Sequence, residues 1–302
     1  GGDGLRLNVM TLNLLHGGAI NPAGNWGDRL PRVLGLLSGD LDLVGMQEAT
    51  VPQIDDLAAA APDWCIVTGP SSGESRLPRV LRRARSWMVR RKAGKGESAD
   101  HARFRLHGAE HRGEHCAILF RRDRFELVDA NAFWVSHQAQ TPGSVLPGTW
   151  LPRVVNWVRL RDRATGQTFT HFNAHLDFLP WAPHRSTRIL RHMLDRHWDG
   201  TPQILTGDFN TIGESKAYRH LCADIRHGFH PALTDAWTAA AERVGPGATY
   251  HGGTGKPRWT GRLDRILFRP DLLVEHAETL VGNGDGHASD HFPVMARLRG
   301  RS

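Results

Sequence analysis

The chain is poor in the features that mark specialised protein classes. It has three cysteines in 302 residues, Cys65, Cys116 and Cys222. Odd in number and far apart, they lack the close spacings of zinc knuckles or redox pairs and read as isolated small apolar residues. No stretch approaches the roughly 18 consecutive apolar residues that a membrane-spanning helix needs, so a helical span is excluded and a soluble or peripheral protein is expected. Internal repeats are absent as well, which argues against a stacked-repeat architecture. The first residue is Gly1 rather than methionine. This fits a removed signal peptide or a tag remnant, and the compartment stays open between secreted and cytoplasmic.

What is present is an ordinary globular composition, 40% hydrophobic and 23% charged, with enough length for one large domain or two modest ones. The formal charge of +7 is unevenly spread. Between Arg76 and Lys95 lie nine cations and no acid, which leaves −2 for the rest of the chain. Because strand and helix signals alternate along the whole length and the only compositional break is this basic stretch, we expect one α/β domain over 1–302 with an insertion at about 74–112.

The segment LRLNVMTLNLL at 5–15 alternates like a strand and meets a polar His16-Gly17-Gly18 break, which puts Asn13 at a strand end. Leu30, Val33, Leu34 and Leu37 recur at a helical period, and LDLVGMQE then reads as a buried strand with Glu48 at its tip. Further strands are expected at 115–120, 154–160, 168–174, 203–207, 263–268 and 292–298, with helices near 184–197 and 215–222.

Polar residues able to hold metal or phosphate recur after apolar runs: TLN at 11–13, QE at 47–48, NAHLD at 173–177, GDFN at 207–210, LDRI at 263–266 and SDH at 289–291. A lone Asp-x-Asn is more often a turn than a ligand, since both side chains hydrogen-bond their own backbone. Six such clusters are much harder to ascribe to turns. An isolated histidine is also more often structural than catalytic, and sixteen others accompany His175 and His291 among the 18 in the chain. These two stand out through their neighbours.

The ordered series Asn13, Gln47-Glu48, Asn173-x-His175, Gly207-Asp208-Phe209-Asn210, Asp264 and Ser289-Asp290-His291 resembles the endonuclease/exonuclease/phosphatase superfamily with its DNase-I-like fold. The strings GEHCAILF at 113–120, NAFWVS at 131–136, RVVNW at 153–157 and NAHLDF at 173–178 resemble its compact bacterial metal-dependent hydrolases. The resemblance implies a four-layer sandwich, two mixed or antiparallel β-sheets face to face with helices outside, and an active site at one end of the strands. It also implies a phosphodiesterase or phosphatase working with Mg²⁺, with Mn²⁺ or Ca²⁺ as alternatives. Glu48, Asp290 and Asn13 would serve the metal, Asp208 would activate water with Asn210 orienting it, and His175 and His291 would contact phosphate oxygens. Asp264 would stand behind His291. Arg153, Asp177 and Glu114 are even choices between substrate contact and structural partner.

The substrate is less defined. After Pro78, Val80, Leu81, Ala84, Trp87 and Met88 fall at a helical period among arginines, which describes a short cationic amphipathic helix. Such a helix over 76–96 suits an anionic membrane surface, and so a phospholipid or phosphoinositide headgroup. It equally suits a nucleic-acid backbone, and so a nuclease, or it packs its apolar stripe on the domain. QEAT lacks the following lysine of exonuclease-III-like enzymes, and His175 stands where those carry tyrosine, which speaks against an abasic-site endonuclease. A non-catalytic phosphate-binding module is the remaining class, and a monomer is expected.

Overall fold

The strand β1 (Arg6–Asn13) crosses through helix α1 (Trp26–Leu37) to the parallel strand β2 (Leu43–Ala49), with Asn13 opposite Gln47 in the register. Asn25 caps α1, its side chain accepting from the Asp28 amide at 3.1 Å. The computed structural model describes residues 4–19, 22–72, 103–105, 113–149, 151–222, 230–269, 271–282 and 286–301. The cationic helix expected after Pro78, and with it the 76–96 surface, lies outside the described residues.

Two sheets carry the architecture. Helix α2 (Val51–Ala60), strand β3 (Trp64–Thr68), strand β4 (Arg103–Arg105) and strand β5 (His115–Arg121) complete the first half of the chain. There follow β6 (Phe125–Trp134), β7 (Val154–Asp162), β8 (Thr168–His175), α3 (Ala182–Arg196), β9 (Gln203–Asp208) and α4 (Lys216–Cys222). The last third holds β10 (Thr234–Asp235), α5 (Ala236–Ala239), β11 (Glu242–Val244), β12 (Asp264–Arg269), β13 (Leu272–Thr279) and β14 (Val294–Gly300). One mixed sheet has the order β11-β13-β14-β1-β2-β5-β3-β4 and the other the order β10-β12-β9-β8-β7-β6.

The strands are apolar on both faces because both faces are covered. Val9, Ile118, Phe120, Phe125, Phe169, Ile204, Ile266 and Leu298 meet between the sheets. One residue along, Met10, Leu12, Val44 and Met46 face outward against Val33, Leu37, Ile54 and Leu57 of α1 and α2. On the other outer face Val155, Phe172 and Leu205 pack against Leu190 and Leu194 of α3 and Leu221 of α4. Helix, sheet, sheet, helix is the expected four-layer sandwich. Burying two sheets' worth of Val, Ile, Leu and Phe at ~25 cal/mol per Å² is the dominant stabilising term.

Between the sheets, just below their site-bearing end, polar side chains replace the apolar core. Gln47 donates to Thr11 Oγ1 at 3.1 Å and to Asn173 Oδ1 at 2.6 Å, and Thr206 donates to the same Asn173 oxygen at 3.1 Å. Asn173 in turn donates to the carbonyls of Met46 and Ala117 at 2.8 and 2.9 Å. Only glycine fits beside this network at position 45, where a Cβ would meet Thr206 Oγ1 at 2.0 Å and Asn173 Oδ1 at 2.6 Å.

Candidate active site

Six strand ends converge. Asn13 closes β1, Glu48 stands next to the end of β2, His175 ends β8, Asp208 ends β9, Asp264 begins β12, and Asp290-His291 lies just before β14. Parallel pairing sets His175 opposite Asp208, and antiparallel pairing sets Asp264 opposite Asp208, so both neighbours of β9 aim a titratable side chain at the same level. Glu48 reaches the site through a bulge between Met46 and Ala49, where its φ is 58°. Asn210 has φ 49°. Left-handed backbone is tolerated by asparagine but strained at a residue such as Glu48, whose carboxylate it brings to Asn13.

Asn13 is the hub. Its Nδ2 donates to Glu48 Oε1 at 2.9 Å and to Asp208 Oδ2 at 3.1 Å, while its Oδ1 accepts from the Leu15 amide at 3.1 Å. Asp208 Oδ1 accepts from the Asn210 amide at 3.0 Å, and Asn210 Nδ2 is engaged by the Leu176 carbonyl at 3.0 Å. His291 Nδ1 donates to Asp264 Oδ2 at 2.8 Å and lies 3.9 Å from Asp208 Oδ2. His175 Nε2 is 3.8 Å from the same Asp208 oxygen, outside hydrogen-bond range.

Burial and charge split the two histidines. Burial alone would lower His291, but Asp264, with Asp208 and Asp290 adding to it, raises it to about 10. His175 is pushed well below the usual histidine range by burial, with Arg153 and His291 adding repulsion. Near neutral pH His291 is therefore an imidazolium with its second N–H still to give, and His175 is neutral. Asp208 is raised to about 6 by burial and by Asp264, against the pull of His291, Asn13 and Asn210. Asp290 is raised by burial, with Glu48 repelling it and His291 offsetting part of that.

Glu114 is raised by burial and by the Glu48 charge, with Arg153 lowering it. Arg153 is buried and its Nε lacks a partner. Asp177 is buried and accepts from the Leu179 amide at 3.1 Å, the role of a turn residue.

Two further residues here were not singled out in the sequence. Arg29 of α1 is fully buried and donates to the carbonyls of Gly24 at 3.2 Å, Leu15 at 2.8 Å, Ala288 at 3.1 Å, and Leu14. It thereby ties the chain after Asn13 to the chain before Ser289-Asp290, and it feels the charges of Asp290 and Glu48. Tyr250 packs its ring 5.0 Å from that of His291. A charged residue among the apolar positions of α1 was the available signal for Arg29; Tyr250 had none.

Asp208, Asp264 and His291 present ligand atoms within 4.8 Å of one another. A metal there would have to displace the Nδ1 proton that Asp264 accepts. Glu48 and Asp290 instead offer oxygen alone and repel each other, the donor chemistry and charge that suit a hard divalent cation.

The model of the Endonuclease/Exonuclease/phosphatase family matches residues 10–291. Among solved structures, an endonuclease/exonuclease/phosphatase family protein from Bacteroides thetaiotaomicron superposes with a TM-score of 0.78 at 23% identity over 98% of both chains. A mannosyl-6-phosphatase from the same organism gives 0.76 at 24% identity, covering 97% of this chain and 99% of its own. TDP2 from D. rerio, complexed with a single-strand DNA product, gives 0.62 at 15% identity over 97% and 99%. At these identities the likeness establishes the fold alone. No curated protein matches the chain in sequence.

Proposed function

The chain belongs to the Endonuclease/Exonuclease/phosphatase family, and from that premise we propose a divalent-metal-dependent phosphoester hydrolase in which Asp208 activates water and His291 meets the charge that develops on phosphate. Members of this family act on phosphoesters and generally depend on divalent metal. The observation that carries the reading is a pair of opposed roles 3.9 Å apart: a carboxylate raised to about 6 beside an imidazolium raised to about 10. Groups whose surroundings separate their protonation in this way serve as base and acid.

Above its raised pKa Asp208 accepts the water proton, and its two oxygens are held by Asn13 and the Asn210 amide so that the water faces one direction. His291, fixed by Asp264, donates its free N–H to a non-bridging oxygen, and neutral His175 adds a second donor. Glu48 and Asp290, with Asn13 bridging Glu48 to Asp208, would hold the metal. A divalent cation held there, Mg²⁺ in this reading, would supply charge neutralisation on the phosphoryl oxygens and the leaving group. Arg153 and Glu114 flank this end, and Asp177 shapes the loop after His175.

The remaining choice is the organic part of the ester. The expectation of a phospholipid or phosphoinositide headgroup, against a nucleic acid, rests in the sequence on 76–96, outside the described residues. The relatives do not decide it, since a mannosyl-6-phosphatase and a DNA-product complex share the fold. A non-catalytic module is disfavoured because strained Glu48 and the repelling Asp290 cost stability without benefit to simple binding.

The test is a product-resolved phosphohydrolase screen over lipid, sugar, nucleotide and oligonucleotide phosphoesters, with and without added Mg²⁺. Turnover that survives excess EDTA would exclude the metal role. Absence of turnover on every class would exclude the hydrolase.

A further inference from the structure

Among the described residues eight large apolar side chains are exposed: Val145, Leu151, Phe178, Trp181, Ile212, Val244, Trp259 and Val281. Six of them stand on four loops at the strand ends that carry the site. Val145 and Leu151 precede β7, whose first residues pair with Trp134 of β6 and Ala174 of β8. Phe178 and Trp181 follow His175, Ile212 follows Asn210, and Trp259 precedes Asp264.

These loops touch in series. A Cβ on Gly148 would lie 2.9 Å from Trp181 Cη2, which brings the first loop against the second. Asn210 donates to the Leu176 carbonyl at 3.0 Å, joining the second to the third. A Cβ on Gly261 would lie 3.7 Å from the Gly213 nitrogen, joining the third to the fourth. The fourth returns to the site, because Arg258 lies 5.4 Å over the Tyr250 ring that packs on His291. The loops that carry the apolar residues therefore form one contiguous rim at the site-bearing end.

The rim is cationic as well. Arg185, Arg188, Lys216, Lys256 and Arg258 are exposed within or beside these loops, and Glu214 is the one exposed acid among them. Arg185 sits 5.3 Å over the Trp181 ring.

We propose that this rim is a docking surface for an anionic lipid bilayer, which seats the site against the headgroup layer. Apolar side chains singly projecting from loops, mixed with lysine and arginine, are the composition that enters the boundary between headgroups and acyl chains. Nucleobases and sugar rings use aromatic faces, and leave Leu151, Ile212 and Val145 without a purpose. No helix among the described residues is long and apolar enough to cross a membrane. The proposal deepens the hydrolase reading, on which it rests only for the position of the ester; docking itself needs no turnover.

The experiment is flotation of the full chain with vesicles of phosphatidylcholine alone and of phosphatidylcholine mixed with phosphatidylserine. The probes are the intact chain, Asp208→Asn, Trp259→Ser, and the double variant Phe178→Ser with Trp259→Ser, with folding checked by thermal melting. Phe178 and Trp259 are 68% and 87% exposed, so their loss removes little packing. We expect the intact chain and Asp208→Asn to float with the anionic vesicles, and the double variant to partition about tenfold less, with Trp259→Ser in between. No flotation of the intact chain overturns the proposal. Undiminished flotation of the double variant also overturns it, and if deletion of 76–96 then abolishes binding, that segment is the membrane contact. Loss of soluble-substrate turnover in the double variant, with vesicle binding unchanged, assigns the rim to a soluble ligand and overturns it too. Flotation as expected with no hydrolysis of any phosphoester would sink the hydrolase and leave the docking surface standing.

Discussion

Two buried polar layers lie two residues apart on the same strands. Thr11, Asn173 and Thr206 form the lower layer with Gln47; moving two positions along β1, β8 and β9, on the same inward faces, gives Asn13, His175 and Asp208. The rise is only about 6.5 Å. The lower layer is neutral: its hydroxyls and amides mostly partner one another, with Gln47 Oε1 and His171 Nδ1 left over, and the adjoining His171 is held uncharged, burial lowering it to about 3. The upper layer is charged, is reached through the left-handed Glu48, and leaves Asp264 Oδ1 buried without a partner. A neutral, largely paired network fixes the alignment of the two sheets at little cost. An unsatisfied charged one carries tension that a metal and a phosphate can relieve.

Substitutions in the two layers should accordingly separate activity from stability. His291→Ala or Asp208→Asn should lower kcat/KM on any accepted phosphoester by about 10³ or more while the melting temperature stays near wild type. A rate near wild type in either purified variant would remove the assignment.

A pH profile resolves the upper layer further. The base form of Asp208 exists above about 6 and the imidazolium of His291 below about 10, so kcat/KM should rise through the first value, hold, and fall past the second. Asp264 supports both raised values. Asp264→Asn should therefore move both limbs to lower pH, and a profile whose alkaline limb stays in place would show that His291 is not the acid.

In the lower layer the expected effects are on stability. Gly45→Ala forces a Cβ into Thr206 and Asn173 and should cost about 3 kcal/mol, read as an earlier denaturant midpoint. Thr206→Val leaves Asn173 Oδ1 and His171 each short of a partner and should cost about 1–2 kcal/mol, with kcat/KM within about twofold of wild type. A large activity loss in either would mean that the two layers are one unit.

The contrast also explains what could be read in the sequence. Several candidate site residues were legible because they follow an apolar strand at the point where its run turns polar, as at Asp208 after QILTG and Asn13 after NVMTL, whereas Asp264 begins its strand and Asp290-His291 stand ahead of theirs. The strands over 115–120, 154–160, 168–174 and 203–207 were placed to within about two residues, the ordinary error at strand ends. Strand β6 was not, because much of it is only half covered and its pattern alternates poorly, and β13 has a bulge at Val274 to His276 that breaks the period. Helix α2 is short, and its start depends on the amide of Thr50 donating to the Gln53 side chain at 3.0 Å, a signal of one residue pair. Arg29 misled most. The helical period selected Leu30 and Leu34 beside Val33 and Leu37, whereas the fully buried face is Arg29, Val33 and Leu37, because the guanidinium finds four carbonyls that only the folded loops provide.

Strand β1 sits in the middle of its sheet with β14 on one side, Arg6 opposite Arg299 and Thr11 opposite Val294. Among the described strands, the earliest in sequence therefore waits for the latest. At typical translation rates that interval is roughly 15–60 s, during which β1 offers one unpaired edge. A chain that stops before Ser289 lacks Asp290 and His291 and cannot assemble the charged layer.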